Sequence, residues 1–482
     1  MGASKCCRES RLALLGLALC GSAQAETSSH AELTCLLDSG DVLGSSPANP
    51  VEDPPWQNLA SLRRGDENRV RLAVTMAQAG LLPSVTTSAV LRGELGFGGP
   101  AGSQATELRD LASSVAVAWR LAPRAELVLR AFPFDTDYLR LGYLHALDWA
   151  GTDANHGQSV FLRQTGSVPG FQVALNIGKI RLFSALKWAR LDDAVVGRRR
   201  LWGVLWGGSA ELFPALRVEG GFGYFQRPRG APFASPDAFV EGASARVVWH
   251  HGVAEPELSA EPFRPPRLGE DPSRFDAAEA LGWAMALEGV TLVVRREGST
   301  DASGAALEPA PAAALYGSVQ GHGLAAHGAV TWRSLPFVLK NDSRFAQAEG
   351  LPRSRVEQAE VTGWLGGSAT LASLYLVPSV ELGLRLPAAL EIPSVLPGFG
   401  QTFVATGAAG LAPLPVGAGR LPALSARLGA RFQASGSVAL SLFGELTRDP
   451  NRVVFATTSS GVMRALARPE RFEMVAAVQA RF

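Results

Sequence analysis

Long apolar runs are missing from this chain of 482 residues. Residues 12–19 are apolar, but a membrane-spanning helix needs about 20 such residues. An excess of one charge is missing too, because 45 Lys and Arg stand against 44 Asp and Glu. A balance this close to zero does not indicate a nucleic-acid partner, and we expect none.

Cysteine is scarce, with four in the chain. Cys6, Cys7 and Cys20 precede residue 25, so only Cys35 remains beyond it, which excludes a disulfide framework and a C-x-x-C metal knuckle. The close histidine pairs, at 250–251 and at 322 and 327, do not indicate a metal site, since adjacent side chains in a strand point to opposite faces. We expect no metal and no cofactor.

The first 25 residues have the features of a secretory signal. Lys5, Arg8 and Arg11 form a positive region, residues 12–19 form the apolar region, and Ala23-Gln24-Ala25 is an A-x-A cleavage site. Export of the chain is therefore expected. Removing residues 1–25 takes away three basic groups and one acidic group, which moves the formal charge from +1 to −1.

The last eleven residues alternate between apolar and polar side chains. Because alternate side chains of a strand share a face, Glu473, Gln479 and Arg481 lie on one face. The opposite face carries Phe472, Met474, Ala476, Val478, Ala480 and Phe482. This pattern resembles the closing strand of Gram-negative outer-membrane β-barrels, although a soluble sandwich can also use such a strand. The resemblance implies that the apolar face is the assembly signal for the barrel-assembly machinery.

The same alternation recurs along the chain. Four segments have an apolar face and an opposite face with two charged residues. The apolar faces, each with its charged residues, are Leu216, Val218, Phe222 and Tyr224 with Arg217 and Glu219; Val380, Leu382, Leu384 and Leu386 with Glu381 and Arg385; Leu424, Ala426, Leu428 and Phe432 with Arg427 and Arg431; and Ile180, Leu182, Leu186 and Trp188 with Arg181 and Lys187. Lipid does not accept the charged faces, so we expect them to face the lumen. The fold class predicted is all-β: a membrane-spanning antiparallel up-and-down β-barrel, because only helices and closed sheets span bilayers.

Short connections alternate with long ones. Tight turns are predicted at residues 122–124, 178–179, 213–214, 288–289, 321–323 and 434–436, from their Gly, Pro and Ser content. Longer polar stretches lie between them, among them residues 134–169, 262–276, 334–356 and 387–420. Short periplasmic turns and long outer loops are typical of outer-membrane barrels.

Counting back from the last strand gives about eighteen strands, with sixteen as the alternative. The barrel is predicted over residues 85–482, beginning near Val85. Residues 26–84 are assigned to an N-terminal periplasmic extension or a segment inside the lumen, in which residues 56–79 form either a short helix or a further strand.

The connection at residues 134–149 is too apolar for an ordinary solvated loop. Porins resemble this arrangement, with a long loop that folds into the lumen and sets acidic groups opposite basic groups of the wall. The resemblance implies that Asp135, Asp137 and Asp148 face the wall arginines, which are Arg130, Arg181, Arg217 and Arg427. Opposed charges in a narrow lumen select solutes by size and dipole. The alternative is a pair of ordinary strands with a surface loop.

These features favour a water-filled pore for small hydrophilic solutes. A non-conducting structural or docking barrel, bound to envelope proteins, is the alternative. An enzyme is not expected, because Asp135, Asp137 and residues 155–159 lack catalytic spacing and no G-x-S-x-G elbow occurs. Outer-membrane lipid and lipopolysaccharide are the surroundings expected; residues 198–200, three arginines, either hold lipopolysaccharide phosphates or end a solvated loop.

Overall fold

A computed structural model describes most of the chain. The described residues are 27–38, 68–79, 82, 84–97, 107–110, 113–134, 141–142, 144–145, 168–193, 197–227, 238–252, 281–296, 306–338, 356–392, 400–406, 410–458, 461–466 and 468–482. The signal predicted at residues 1–25 lies outside them.

Strands make up nearly all of the regular structure. Their bounds are β1 (Thr27–Asp38), β2 (Asn68–Ala79), β3 (Val85–Phe97), β4 (Glu107–Asp110), β5 (Ser114–Ala122), β6 (Ala125–Phe132), β7 (Gly170–Ile177), β8 (Ile180–Asp193), β9 (Gly197–Phe213), β10 (Leu216–Arg227), β11 (Ala238–His251), β12 (Gly282–Arg296), β13 (Ala306–Gly321), β14 (Leu324–Arg333), β15 (Val356–Gln358), β16 (Glu360–Ala369), β17 (Leu376–Leu386), β18 (Ala389–Ile392), β19 (Gln401–Thr406), β20 (Gly410–Pro413), β21 (Ala423–Gln433), β22 (Val438–Arg448), β23 (Val453–Thr458), β24 (Gly461–Leu466) and β25 (Glu470–Arg481). A short helix α1 (Leu335–Val338) and a 3₁₀ turn (Ala372–Leu374) complete the described elements.

The main sheet closes on itself. It contains nineteen strands, each antiparallel to its neighbours. Because β4 and β5 follow each other and both pair with β3, they fill one position, and the ring has eighteen. The ring closes where β1 pairs with β2 on one side and with β25 on the other. The predicted antiparallel up-and-down fold is confirmed. The total of eighteen is reached differently from the prediction, because sixteen positions lie beyond Val85 and β1 and β2 supply the other two.

Alternation of side chains sets the two faces of the ring. On β22, Ser441, Phe443 and Glu445 are buried, whereas Leu440 and Leu442 are exposed. The four charged faces predicted from the sequence point inward, and their apolar partners form the outer surface, where many large apolar side chains are exposed. This agrees with the period of two of a strand.

The barrel starts earlier than predicted. Residues 26–84 were placed outside it, with Val85 as its beginning, but β1 and β2 lie in this segment and the barrel begins at Thr27. Of the two alternatives for residues 56–79, the strand is correct over Asn68–Ala79. The physical reason is closure: β3 and β25 would each expose an unpaired edge without these two strands.

Turns define one end of the barrel, called here the turn end. They lie at residues 123–124, 178–179, 214–215, 322–323 and 435–437, which confirms five predicted turns. His322 and Gly323 both have positive φ, 50° and 75°, as a two-residue hairpin turn of type I′ requires. The opposite end is called the loop end.

The turn predicted at residues 288–289 is wrong. Both residues lie inside β12, where Glu288 is buried on the inner face and pairs with Arg246 and Ala314. The alternation of β12 continues through Glu288 to Val290 and Leu292, so the Glu-Gly pair marks no break. β11 ends and β12 begins at the turn end, where His251 opposes Trp283. Residues 262–276, predicted as a long outer connection, lie outside the described residues.

Folded loop segments occupy the loop end. A small sheet, β15-β18-β19-β20, is built from the connections after β14 and β17, and β23 pairs with β24 in the last connection. Leu335 of α1 packs with Leu390 and Ala405 of the small sheet and with Ala388, which directly precedes β18. We call this sheet together with α1 the cap. In the described part of the chain, no helix has the length and apolar content to cross a membrane.

Closure of the ring predicts a disulfide across its seam. Cys35 of β1 and Val478 of β25 are register partners, and directly opposed residues lie within the Cα separation that a disulfide spans. In a chain with Cys6, Cys7 and Cys20 replaced by Ser, we expect Val478→Cys to form a reducible cross-link to Cys35, seen as a mobility shift on a non-reducing gel. Val380→Cys, on the outer face of β17, is the control and should give none. An intact β spectrum without the cross-link would contradict the closed ring.

Candidate functional site

The inner face of the barrel carries many charged side chains. Among the described residues, its basic members outnumber its acidic ones. The basic members are Arg92, Arg120, Arg130, Arg181, Lys187, Arg217, Arg246, Arg333, Arg385, Arg427, Arg431, Arg471 and Arg481. The acidic members are Glu126, Glu211, Glu219, Glu288, Glu360, Glu381, Glu445 and Glu473. Every acidic member is a glutamate, and all basic members except Lys187 are arginines.

One row of paired residues runs across seven neighbouring strands, from β6 to β12. Its members in register are Glu126, Asn176, Arg181, Ser209, Glu219, Arg246 and Glu288. All of them are polar, and Asn176 donates a hydrogen bond to Glu126 at 3.2 Å. Directly opposed residues of antiparallel strands share a face, so the row forms a polar belt on the inner wall.

A buried charge triad lies within this belt. Glu219 has one carboxylate oxygen 2.7 Å from Nη2 of Arg217 and the other 3.4 Å from Nη1 of Arg246. The side chains of all three are at most 5% exposed. Two guanidinium groups around one carboxylate leave the triad with a net positive charge on the lumen wall.

A second triad lies at the loop end. Glu360, whose side chain is fully buried, accepts from Nε of Arg333 at 2.8 Å and from Nε of Arg385 at 2.9 Å. The three residues stand at the ends of β14, β16 and β17. Because a carboxylate removed from water needs charged or hydrogen-bonding partners, the two arginines satisfy one oxygen each.

A third acidic group stands between a histidine and an arginine. Glu381 has one oxygen 3.4 Å from Nε2 of His327 and the other 3.6 Å from Nη1 of Arg427. The guanidinium of Arg427 also lies 4.5 Å above the ring centre of Phe443, an arrangement that a cation favours.

Part of the long connection after β6 folds into the barrel. Four of its described residues, at positions 141, 142, 144 and 145, are called here the inward segment. The backbone N–H groups of Leu144 and His145 donate to the two oxygens of Glu288, at 3.0 and 2.9 Å. Leu141 is fully buried and packs onto Gly221 of the inner wall, where a Cβ would meet its side chain at 2.7 Å. Of the two alternatives for residues 134–149, the inward fold is therefore correct for these four residues.

The wall beside the inward segment is apolar. Leu141 and Phe337 of α1 belong to one apolar cluster with side chains of the inner wall, which include Phe132, Phe183, Leu205, Phe225 and Leu292. The ring of His145 meets that of Phe337 edge-on at 5.6 Å, and its Nε2 lies 3.1 Å from the carbonyl of Ala313. The inward segment thus occupies one side of the lumen, against β10 to β13.

The predicted constriction residues fall into two groups. Arg130, Arg181, Arg217 and Arg427 lie on the inner wall, as predicted, but the first three stand on β6, β8 and β10, and Arg427 stands seven positions further around the ring, on β21. They surround the lumen and do not form one cluster. Asp135, Asp137 and Asp148 lie outside the described residues, so their role stays a prediction.

Sequence reasoning missed Glu288 and Glu360. Glu288 was assigned to a turn, although the uninterrupted alternation of β12 predicts its inward position. Glu360 precedes an apolar-polar alternation at the first position of β16, and no local pattern indicates its two arginine partners, which come from other strands.

The C-terminal apolar face lies where it was predicted. Met474, Val478 and Phe482 are 43%, 42% and 76% exposed on the outer surface, and Glu473 and Gln479 are buried on the inner face. The assembly role of Phe472, Met474, Ala476, Val478, Ala480 and Phe482 stays a prediction.

No protein-family model and no curated protein matches the chain. Solved structures similar to it include OpdK of Pseudomonas aeruginosa with vanillate, at 10% identity and a TM-score of 0.47 over 95% of this chain and 98% of that one. A second structure of OpdK, described as an outer membrane protein of Pseudomonas aeruginosa, has 9% identity and a TM-score of 0.45 over 95% and 99%. OccAB1 of Acinetobacter baumannii has 9% identity and a TM-score of 0.44 over 95% and 96%. Likeness at these identities and scores identifies neither a solute nor a mechanism.

The Glu360 triad predicts a large stability loss on neutralisation. Glu360→Gln leaves Arg333 and Arg385 buried beside each other without their counter-charge, which should lower the free energy of unfolding by about 3–5 kcal/mol. Glu470→Gln is the control, because Glu470 is half-exposed and 3.7 to 3.8 Å from two exposed arginines; its loss should be about 0–1 kcal/mol. Urea unfolding of the refolded barrel measures both, and equal losses would show that the triad contributes no more than a surface pair.

Proposed function

We propose that this chain is an outer-membrane pore for small hydrophilic solutes, with a preference for anions. The observation that carries the proposal is the closed ring of eighteen positions with an apolar outer face and a charged inner face. Barrels of sixteen to eighteen strands leave an aqueous channel wide enough for solutes. A soluble protein gains nothing from a continuous band of exposed large apolar side chains.

Aromatic side chains support a membrane position. Trp119, Trp249 and Trp283 lie exposed on the outer face near the turn end, and Trp202 and Trp332 near the loop end. On β9, Phe213 follows Trp202 by eleven residue steps, which at about 3.3 Å per step and a tilt of about 40° span roughly 28 Å. Membrane barrels carry aromatic girdles on either side of an apolar band of about 25 Å.

The path of the solute runs along the side of the lumen that the inward segment leaves uncovered. That segment packs against β10 to β13, and the apolar cluster around it includes inner-wall residues of β6 to β10, β12 and β13. Among the described residues, the remaining wall has eight arginines against four glutamates. The arginines are Arg92, Arg120, Arg333, Arg385, Arg427, Arg431, Arg471 and Arg481, and the glutamates are Glu360, Glu381, Glu445 and Glu473. Permanently charged guanidinium groups along one wall draw anions into the lumen.

The envelope setting is part of the proposal. The outer face contacts outer-membrane lipid, lipopolysaccharide surrounds the loop end, and the apolar face of β25 is the feature that the barrel-assembly machinery recognises. Asp135 and Asp137, if they face the lumen, oppose the arginine wall, and their change to Asn should then increase the preference for anions.

Ion selectivity tests the pore. In planar bilayers we expect discrete conductance steps with a reversal potential that favours anions. Arg427→Gln removes a charge from the inner wall and should shift the reversal potential toward cations, whereas Arg448→Gln, on the outer rim with its side chain 65% exposed, should leave it unchanged. A folded barrel that never conducts would reject the pore and support the structural or docking role.

Depth-dependent stability tests the membrane position. Leu428 is 66% exposed at the middle of β21, and Leu324 is 62% exposed beside the turn at 322–323. In lipid vesicles, Leu428→Arg should lower the free energy of unfolding by about 2–4 kcal/mol and Leu324→Arg by about 0–1 kcal/mol, because the cost of arginine falls from the bilayer midplane to its surface. If both substitutions cost the same, the outer face does not lie in lipid.

A further inference from the structure

We infer that Glu288 and Phe337 are the residues that fix the bore of this pore, by holding the inward segment between the barrel wall and the cap. The inference rests on the proposed function and adds to it the residues that determine the size limit. Two independent contacts carry it, one on each side of the inward segment.

The wall contact is a buried carboxylate that binds backbone. Glu288 is 2% exposed and receives the N–H groups of two consecutive residues, Leu144 and His145. Hydrogen bonds to a charged acceptor are stronger than neutral ones, and in a buried site their loss is not replaced by water. Because the carboxylate accepts hydrogen bonds from backbone N–H groups, it fixes the backbone of the segment independently of the side chains at these positions.

The shape of the inward segment is adapted to that carboxylate. Gly142 has a φ of +78°, and a Cβ at this position would lie 2.5 Å from the carbonyl oxygen of His145 and 3.0 Å from Oε1 of Glu288. Only glycine adopts this φ readily and leaves this space. The turn of the segment around Glu288 therefore requires Gly142.

The cap contact is made by an aromatic ring. Phe337 is fully buried, and its ring meets that of His145. It stands on α1 of the cap, whose Leu335 packs with Leu390 of the small sheet. The cap, α1, His145 and Glu288 thus form one continuous series of packed groups from the loop end to the inner wall. Displacing either contact frees the inward segment on one side only.

Uptake of neutral solutes measures the bore without interference from charge. Glu288→Gln and Gly142→Ala are compared in liposomes with a series of neutral oligosaccharides of increasing size, and folding is checked by the mobility shift of unboiled protein. Loss of the charged acceptor should raise the fraction of undocked segment about tenfold. We expect both variants to admit larger sugars than the wild type and to show noisier single-channel currents.

Matched controls separate size from charge. Glu445→Gln removes the same charge from the inner face of β22, on the other side of the ring, and should shift ion selectivity without changing the size limit. Phe337→Leu should enlarge the size limit as Glu288→Gln does, while Phe443→Leu, also on the inner face of β22, should not.

The outcomes distinguish the inference from the proposed function. A wild type that conducts, together with folded Glu288 and Gly142 variants that keep its sugar size limit, would overturn the inference and leave the pore intact. Enlargement by Glu445→Gln equal to that by Glu288→Gln would also overturn it, because the effect would then come from charge alone. A wild type without any conductance or uptake would reject the pore itself.

Discussion

Closure of the sheet is the constraint on which the rest of this structure depends. Pairing of β1 with β25 closes the ring, so each of its eighteen positions has a neighbour on both sides for its backbone groups. Once the ring is closed, each strand must send one set of side chains outward and the other inward. The apolar set forms the outer face, and the polar set converges on an enclosed space. The polar belt on the inner wall therefore results from the closure of the ring together with the alternation of side chains along each strand.

Enclosure makes the inner charges interdependent. A glutamate on an open sheet finds water, whereas Glu219 and Glu360 are each buried between two arginines from different strands. The cost of burying a carboxylate is offset by these charged partners. Since a single glutamate does not neutralise two guanidinium groups, each triad leaves positive charge at the wall. The two triads thus stabilise the barrel and also contribute positive charge to the lumen wall.

The inward segment contacts two residues, Glu288 and Phe337, that lie far from it and from each other in the sequence. Leu141 and His145 follow β6, Glu288 belongs to β12, and Phe337 comes after β14. Their convergence requires the curvature of the ring, which brings the walls of β10 to β13 around the segment. Leu141 packs with the apolar cluster of the wall, and the carboxylate of Glu288 accepts two backbone hydrogen bonds from the segment.

The sequence by itself determined the class of fold, the faces of the strands around Arg217, Glu381, Arg427 and Arg181, five of the turns and the outward position of the C-terminal apolar face. These depend on periods of two residues and on turn chemistry, which are local. It did not determine that β1 and β2 belong to the ring, that residues 288–289 continue a strand, or that Glu288 and Glu360 meet their partners. These features depend on pairing between strands that are distant in the sequence. No local pattern indicates with which strand a segment pairs, or which charged side chain of another strand lies beside a buried glutamate. Only the tertiary structure decided them, because closing the ring is what brings those groups together.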